Sequence, residues 1–314
     1  MFHVVIAVIT AATCLQAPGP QAPVPMPAVP SVETEMRRVD YHVDRTLVLQ
    51  IEYLRGRLVP QRAGEPPSFD DPKSFNIDMD SASITLTTGA LADLLNRYVF
   101  NYPGTPLRKL ELAVEKGRLK QKGRLHGMHF SLESDMTVTA GGELRLHPTS
   151  IHVLGIGVKG LMKIFGLSLH KLADVRGAPG VRIDGNDLLL TPAVMLPPPA
   201  TRGTLVAVRL NDSSVTLRFG RGKAAVPLMI PGGRGGGYMY FRGGTLRFWA
   251  LTMRPADLLV VDHDPRDAFD FWLAEYKKQL MAGFSKSTPT GGLITEWPDY
   301  RKAGAAVVRE PDGQ

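Results

Sequence analysis

Residues 84–153 read ITLTTGALADLLNRYVFNYPGTPLRKLELAVEKGRLKQKGRLHGMHFSLESDMTVTAGGELRLHPTSIHV, and the change of period inside them decides the fold. A short strand at 84–86 turns at Thr87-Thr88-Gly89 into a helix over 90–98. There Leu91, Leu94, Leu95 and Tyr98 recur at i, i+3, i+4 and i+7, one apolar face of a helical wheel. Thr87 or Thr88 is placed to cap that helix by accepting a hydrogen bond from its first unpaired N–H groups. After Pro103-Gly104 the period drops to two. Leu110, Leu112 and Val114 alternate with charges, and Phe130, Leu132, Met136 and Val138 alternate with Ser131, Glu133, Asp135, Thr137 and Thr139. Leu144/Leu146 and Ile151/Val153 continue the pattern. One helix followed by four or five antiparallel strands is expected, each strand with one apolar and one wet face.

Upstream, Val43, Leu47, Leu49, Ile51 and Tyr53 share one parity, which predicts a long strand or a bent pair. Residues 61–74 read as a loop and Phe75–Asp80 as a strand. Gly56-Arg57-Leu58 returns as Gly117-Arg118-Leu119 and Gly123-Arg124-Leu125, and more loosely at Gly142 and Gly244. The expected unit is a turn glycine, then a strand that starts with a solvated cation beside a buried leucine.

Downstream, residues 155–174 (GIGVKGLMKIFGLSLHKLAD) crowd apolar side chains between glycines and lysines. They suit a core helix or hairpin tip, or else an apolar lid formed by Leu161, Met162, Ile164 and Phe165 with lysines at headgroup level. A strand at Leu188–Thr191 and Pro197-Pro198-Pro199 end the first module. Four more strands are expected at Thr204–Leu210, Val215–Phe219, Tyr238–Arg242 and Leu246–Met253. The glycine-rich stretch 232–237 lacks the Lys-Ser/Thr of a phosphate loop and reads as a hairpin loop. A last helix is expected between Asp264, its cap, and Gly283, its end. Pro265 and Asp267 occupy its first turn, and Phe269, Trp272, Leu273, Tyr276 and Leu280 form its stripe.

Gly (32) and Pro (25) are abundant among the 314 residues, which suits many turns and short strands. The formal net charge is +7, spread in ones and twos along the chain. That suits anionic lipid headgroups at a membrane surface, cell-wall polymers or nucleic acid without choosing among them, and the lack of basic blocks or interleaved aromatics argues against a nucleic-acid partner. Residues 1–17 read as a secretory signal, although no cation precedes their apolar run, which is too short to span a bilayer. Cys14, the single cysteine, offers lipoprotein acylation as an alternative. Residues 18–35 form a Pro-rich linker. The organisation that follows is 36–200, a β-meander with a helix; 201–300, a C-terminal sheet plus helix packed on it as one globule; and 301–314, a tail. A secreted or periplasmic location is expected.

Two common hydrolase signatures are absent: the chain has no G-x-S-x-G and no H-E-x-x-H. The densest polar cluster is Asp262-His263-Asp264, with Asp267 and Asp270 close behind. It suits a divalent metal and hydrolysis, or merely the start of the last helix. The second reading is preferred, so no metal, cofactor or catalytic residue is expected.

The stretch from about Ile84 to Leu190 resembles a bacterial group of secreted or envelope proteins, the LmeA-like and YpmS-like proteins of tubular lipid-binding fold. The resemblance is carried by Leu91-Ala92-Asp93-Leu94-Leu95-Asn96, by Gly117 to Gly123, by the alternating strand His129 to Thr139, and by Gly142-Glu143-Leu144-Arg145-Leu146-His147-Pro148. It covers about a third of the chain. It implies an α+β, mostly-β protein whose highly curved antiparallel meander wraps on a helix and leaves an apolar groove for acyl chains. Here a C-terminal antiparallel sheet, closed by the amphipathic helix, is added. The leading expectation is a non-enzymatic envelope protein that binds or shuttles a lipid or other amphiphile. Its groove is lined by Leu91, Leu94, Leu95, Tyr98, Phe130, Leu132, Met136 and Val138, with Leu161, Met162, Ile164 and Phe165 as the lid. A structural module with a dry core, and a metal-dependent hydrolase using Asp262, His263 and Asp264, are the alternatives.

Overall fold

The computed structural model describes residues 30–154, 162–163, 175–221, 225–231 and 236–306. The period-two stretches become strands. In chain order these are β1 (Val32–His42), β2 (Val48–Pro60), β3 (Phe75–Thr87), β4 (Leu107–Glu115), β5 (Arg118–Leu125), β6 (Met128–Val138), β7 (Leu144–Leu154) and β8 (Met162–Lys163). They continue as β9 (Val181–Asp184), β10 (Asp187–Leu190), β11 (Ala200–Arg202), β12 (Leu205–Asn211), β13 (Ser214–Gly220), β14 (Tyr238–Gly243), β15 (Leu246–Phe248) and β16 (Leu251–Met253). The last four are β17 (Ala256–Asp262), β18 (Phe269–Trp272), β19 (Phe284–Ser287) and β20 (Leu293–Trp297).

Among the described residues the strands form two large sheets. The eleven-stranded one runs β12-β13-β3-β2-β1-β14-β17-β20-β19, with β11 on β3 and β18 on β1. The seven-stranded one runs β4-β5-β6-β7-β10-β9, with β8 on β7. Pairing is mostly antiparallel, and β1–β18, β3–β11 and β17–β20 are parallel. One continuous core fills the space between the sheets, and a small second one (Tyr238, Tyr240, Leu259 and Val261) lies under Leu228 and Ile230. The protein is thus α+β and mostly β, with an antiparallel meander β4 to β7 where the sequence places it.

The helix forms as expected at its start. Thr87 Oγ1 accepts from the Ala90 N–H at 3.1 Å and opens α1 (Thr88–Leu94). It continues as a π turn over Leu95–Val99, in which the Phe100 N–H reaches back to the Leu95 carbonyl at 2.7 Å. Asn96 then fastens the helix to β4. Its Nδ2 donates to the Leu110 carbonyl and its Oδ1 accepts from the Leu110 N–H, both at 2.8 Å. The amide replaces the ladder partners that β4 lacks where its register with β5 shifts between Arg108 and Glu111.

Elsewhere the chain departs from expectation. The parity of Val43 to Tyr53 belongs to β2, preceded by a turn at 43–47 and by the separate strand β1. That strand starts inside the stretch assigned to the linker at 18–35. The short strand at 84–86 and the one at 75–80 are a single strand, β3. Gly56 and Gly123 sit within β2 and β5 instead of in turns, while Gly117 and Gly142 do turn, at φ +74° and +78°. At Gly56 the reason is close approach: a Cβ there would lie 2.2 Å from the Asp78 carbonyl oxygen across the β2–β3 bulge. Leu246–Met253 is a two-strand hairpin, β15–β16.

The expected helix from Asp264 to Gly283 is the largest correction. Phe269 to Trp272 is strand β18, laid parallel to β1, and Leu273–Glu275 is a 3₁₀ turn. Only Tyr276–Ala282, α3, is α-helix, ended at Gly283 as expected. Phe269 and Phe271 are buried while Asp270 and Trp272 are half-buried, so a period of two was present under the helical one. The short α2 (Pro192–Met195) was not expected. Residues 301–306, assigned to the tail, belong to α4 (Tyr300–Ala306). A boundary near 200 also fails to separate the sheets, because β1, β2 and β3 pair with strands from the last third of the chain.

Those last strands close the end of the molecule with rings. Phe69 and Phe248 lie 4.4 Å apart, Phe248 and Tyr276 4.6 Å, and Phe248 and Trp297 5.5 Å between centroids. Tyr276 also donates to Asp70 at 2.8 Å.

Candidate functional site

The packing opens into two apolar cavities, one of about 70 Å³ lined by the seven-stranded sheet with Leu95, Phe100 and Val175, and one of about 40 Å³ between the two sheets. Leu95, Leu146, Leu190 and Gln121 line both, so the two are parts of one seam. The larger part lies against Phe130 and Leu132 of β6, Leu125 of β5, Leu110 of β4, and Ile183 and Leu188 of β9 and β10. The smaller part faces Leu91 and Leu94 of α1 and Leu49, Ile84, Leu86, Val215 and Leu217 of the larger sheet. In these two linings the polar side chains are Gln121 and Ser134. They satisfy each other through a 3.2 Å hydrogen bond from Gln121 Nε2 to Ser134 Oγ, buried in the β5–β6 wall.

The residues named from sequence divide cleanly. Leu91, Leu94 and Met136 line the smaller cavity, Phe130 and Leu132 the larger, and Leu95 both. Tyr98 and Val138 line neither. Val138 packs half-buried against the core. Tyr98 sits on the outer flank of the π turn and donates its hydroxyl to Asp44 Oδ2 at 2.5 Å. Burial works to raise the Asp44 pKa. The Tyr98 hydroxyl, the Thr46 and Leu47 N–H groups and Arg97 outweigh it and hold the carboxyl well below the usual range. Leu161, Ile164 and Phe165 of the expected lid lie outside the described residues. Of Met162 the structure gives the backbone, which pairs with Val153.

Sequence reasoning missed the opposite wall. Leu49 and Ile84 were read as strand residues, but which strand faces a meander is set by long-range pairing that alternation does not encode. Leu119 was read as a buried leucine after a turn, and Leu217 as part of a strand. Neither carried a signal that it lines the same cavity as Leu91 and Leu94.

The Asp262-His263-Asp264 cluster does not converge. His263 is exposed, 3.8 Å from Glu296 Oε2. Asp264 is held well below the usual carboxylate range by Arg266 and Lys302. Asp262 alone is buried. Burial, with the charges of Asp299, Asp267 and Asp264, pushes its pKa up to about 7 against the pull of the Asp264 N–H. Nearby, a polar pocket of about 500 Å³ opens beside β1, β18 and α4, lined by Asp40, His42, Asp267, Asp270, Asp299, Arg301 and Lys302. His42 pairs with Asp270 across its wall. Burial first, then Asp270, Asp267 and Asp299, raise the pKa of Asp40 against the opposing pull of His42.

No protein-family model, curated protein or solved structure matches the chain.

Proposed function

We propose that the protein binds the apolar part of a lipid or similar amphiphile in the seam between its two sheets, without bond chemistry. The observation that carries this reading is the seam itself: apolar walls of the meander around the larger cavity, and of both sheets and α1 around the smaller, that do not meet. Unfilled cavity volume destabilises by roughly 24 cal/mol per Å³, so leaving this seam empty costs on the order of 2–3 kcal/mol. An apolar guest recovers that energy, which gives the empty protein a driving force for uptake.

Size sets a condition on the guest. An apolar cavity of about 150 Å³ takes up one benzene. The two cavities here, about 70 and 40 Å³, are smaller, so an acyl chain enters only as the sheets part along the seam. The hydrogen-bonded Gln121–Ser134 pair offers such a guest its one polar contact. The LmeA-like and YpmS-like resemblance supports the same assignment, with α1 and its π turn as the helix on which the meander closes. The charge of +7, together with exposed Trp249 and Leu251 on the β15–β16 hairpin, supports delivery at an anionic membrane surface in the cell envelope. The signal reading of residues 1–17 that underlies this location concerns residues outside the described ones.

Native mass spectrometry of the protein purified from cells, followed by organic extraction, tests the proposal. A stoichiometric amphiphile is expected, and Leu146→Phe, which adds volume at a position that lines both cavities, is expected to reduce its occupancy while keeping the fold. A clean apo mass that persists after incubation with liposomes would replace lipid binding with a structural role for a dry core.

A further inference from the structure

Away from the seam, three acidic side chains from separate places in the chain meet at the aromatic end. Asp262 ends β17, Asp267 lies in the loop before β18, and Asp299 precedes α4. One carboxylate oxygen from each lies within 4.8 Å of the other two. Carboxylates held this close repel one another unless a positive charge sits among them.

The cations in the neighbourhood are largely committed. Lys302 Nζ is 2.9 Å from Asp299 Oδ2, but it is shared with Asp264 Oδ2 at 3.1 Å, outside the triangle. The Arg38 guanidinium donates to the carbonyl oxygens of Pro265, Arg266 and Asp267. His42 is taken by Asp270, and Asp40 adds a further carboxylate to the pocket that Arg301 also lines.

Asp262 supplies a second, independent observation. Its side chain is buried, the residue only 4% exposed, and Oδ1 accepts from the Asp264 N–H at 2.8 Å. Its Oδ2 is buried with no hydrogen-bond partner. A buried carboxylate oxygen left without a donor is costly, and such groups are ordinarily paired or bound to a metal.

We propose that Asp262, Asp267 and Asp299 bind a hard divalent cation, with water from the adjoining pocket of about 500 Å³ completing its coordination. Carboxylate oxygens without thiolate or imidazole select Ca²⁺, Mg²⁺ or Mn²⁺ over zinc. Ca²⁺ binds oxygen at ~2.3–2.6 Å, so its ligands stand up to about 5 Å apart and the triangle fits as it is. Mg²⁺, at ~2.0–2.1 Å, holds its ligands within about 4.2 Å of one another and fits only if they do not span the full limit. Ca²⁺ is therefore the expected preference. The bound ion ties the end of β17, the loop before β18 and the start of α4 together. This site is independent of the amphiphile reading and stands or falls without it.

The test is a titration of the full chain, stripped with a chelator, with CaCl₂, MgCl₂ and MnCl₂ separately, by calorimetry and thermal melting. One Ca²⁺ per chain is expected, with a melting temperature raised by several degrees. Asp267→Asn and Asp299→Asn are each expected to weaken binding at least tenfold. Asp267 is exposed, so Asp267→Asn keeps the metal-free melt of the parent and decides the matter even if Asp262→Asn or Asp299→Asn fails to fold. Absence of heat and of any melting shift with all three salts overturns the proposal. So does unchanged affinity in Asp267→Asn, which would place the ion elsewhere.

Discussion

The two ends of the core are packed by different means. At one end Phe69, Phe248, Phe271, Tyr276 and Trp297 contact one another at centroid separations from 4.4 to 6.5 Å, and none of them lines either seam cavity. At the other end the sheets meet through leucines, and the cavities lie there. Planar rings in edge-to-face contact fix each other's position and fill volume with few rotamers. Leucines facing one another from two sheets and a helix fill it only if all their rotamers interlock. The chain therefore packs tightly where its strands pair across the whole length of the sequence. The void belongs to the meander and to its junction with α1 and the larger sheet.

The strongest way to break that contrast is to truncate Trp297, which is fully buried among the rings. Trp297→Ala should destabilise by about 3–5 kcal/mol, read as a large fall in urea midpoint. A loss under ~1 kcal/mol would mean that the aromatic end is loosely packed after all. A paired overpacking experiment sharpens the contrast further. Leu246→Phe, beside Phe248, should destabilise by about 1–3 kcal/mol, as extra volume in a full core does. Leu132→Phe, on the wall of the larger cavity, should be neutral or stabilising in the same assay, and equal losses at both positions would remove the distinction.

Next in size is the anchor of the seam's helix. Asn96→Ala leaves the Leu110 N–H and carbonyl without partners and should cost about 1–3 kcal/mol, with faster amide exchange at Leu110 as the local readout. The smallest effect is at Asp44. Its folded pKa is depressed, so its contribution is present above the unfolded value of about 3.9 and fades as pH falls below it. Melting followed from pH 5 to 2.5 should show a shallower decline in Asp44→Asn than in the parent. An identical decline would mean that Asp44 does not hold the π turn to the β1–β2 loop.

Local chemistry explains what was legible in the sequence. The Thr87 cap, the Leu91–Leu95 stripe and the β4 to β7 meander depend on neighbours within about ten residues, and alternation reports them directly. Six of the eight described groove residues named from the sequence line the seam for that reason. Phe269 to Trp272 failed because Phe269 and Trp272, three apart, fit a helical stripe while Phe269 and Phe271, two apart, fit a strand. Pairing with β1, more than two hundred residues earlier, decided between the two periods. Asp299 carried no signal at all, since its meeting with Asp262 is made by the return of β20 alongside β17.

Strand β1 has one edge divided between two partners. Glu33 to Arg37 pair with β14, and Val39 to His42 with β18; Arg38, at φ +50°, marks the change. That edge imposes an order in time. As the chain emerges from the ribosome, β1 can pair with β2 almost at once, but its other side stays bare until residue 243 has been made and is completed only at residue 272. At roughly 5–20 residues per second, the delay is on the order of 10–50 s. Throughout it, an unpaired strand edge is open to any other chain that offers one.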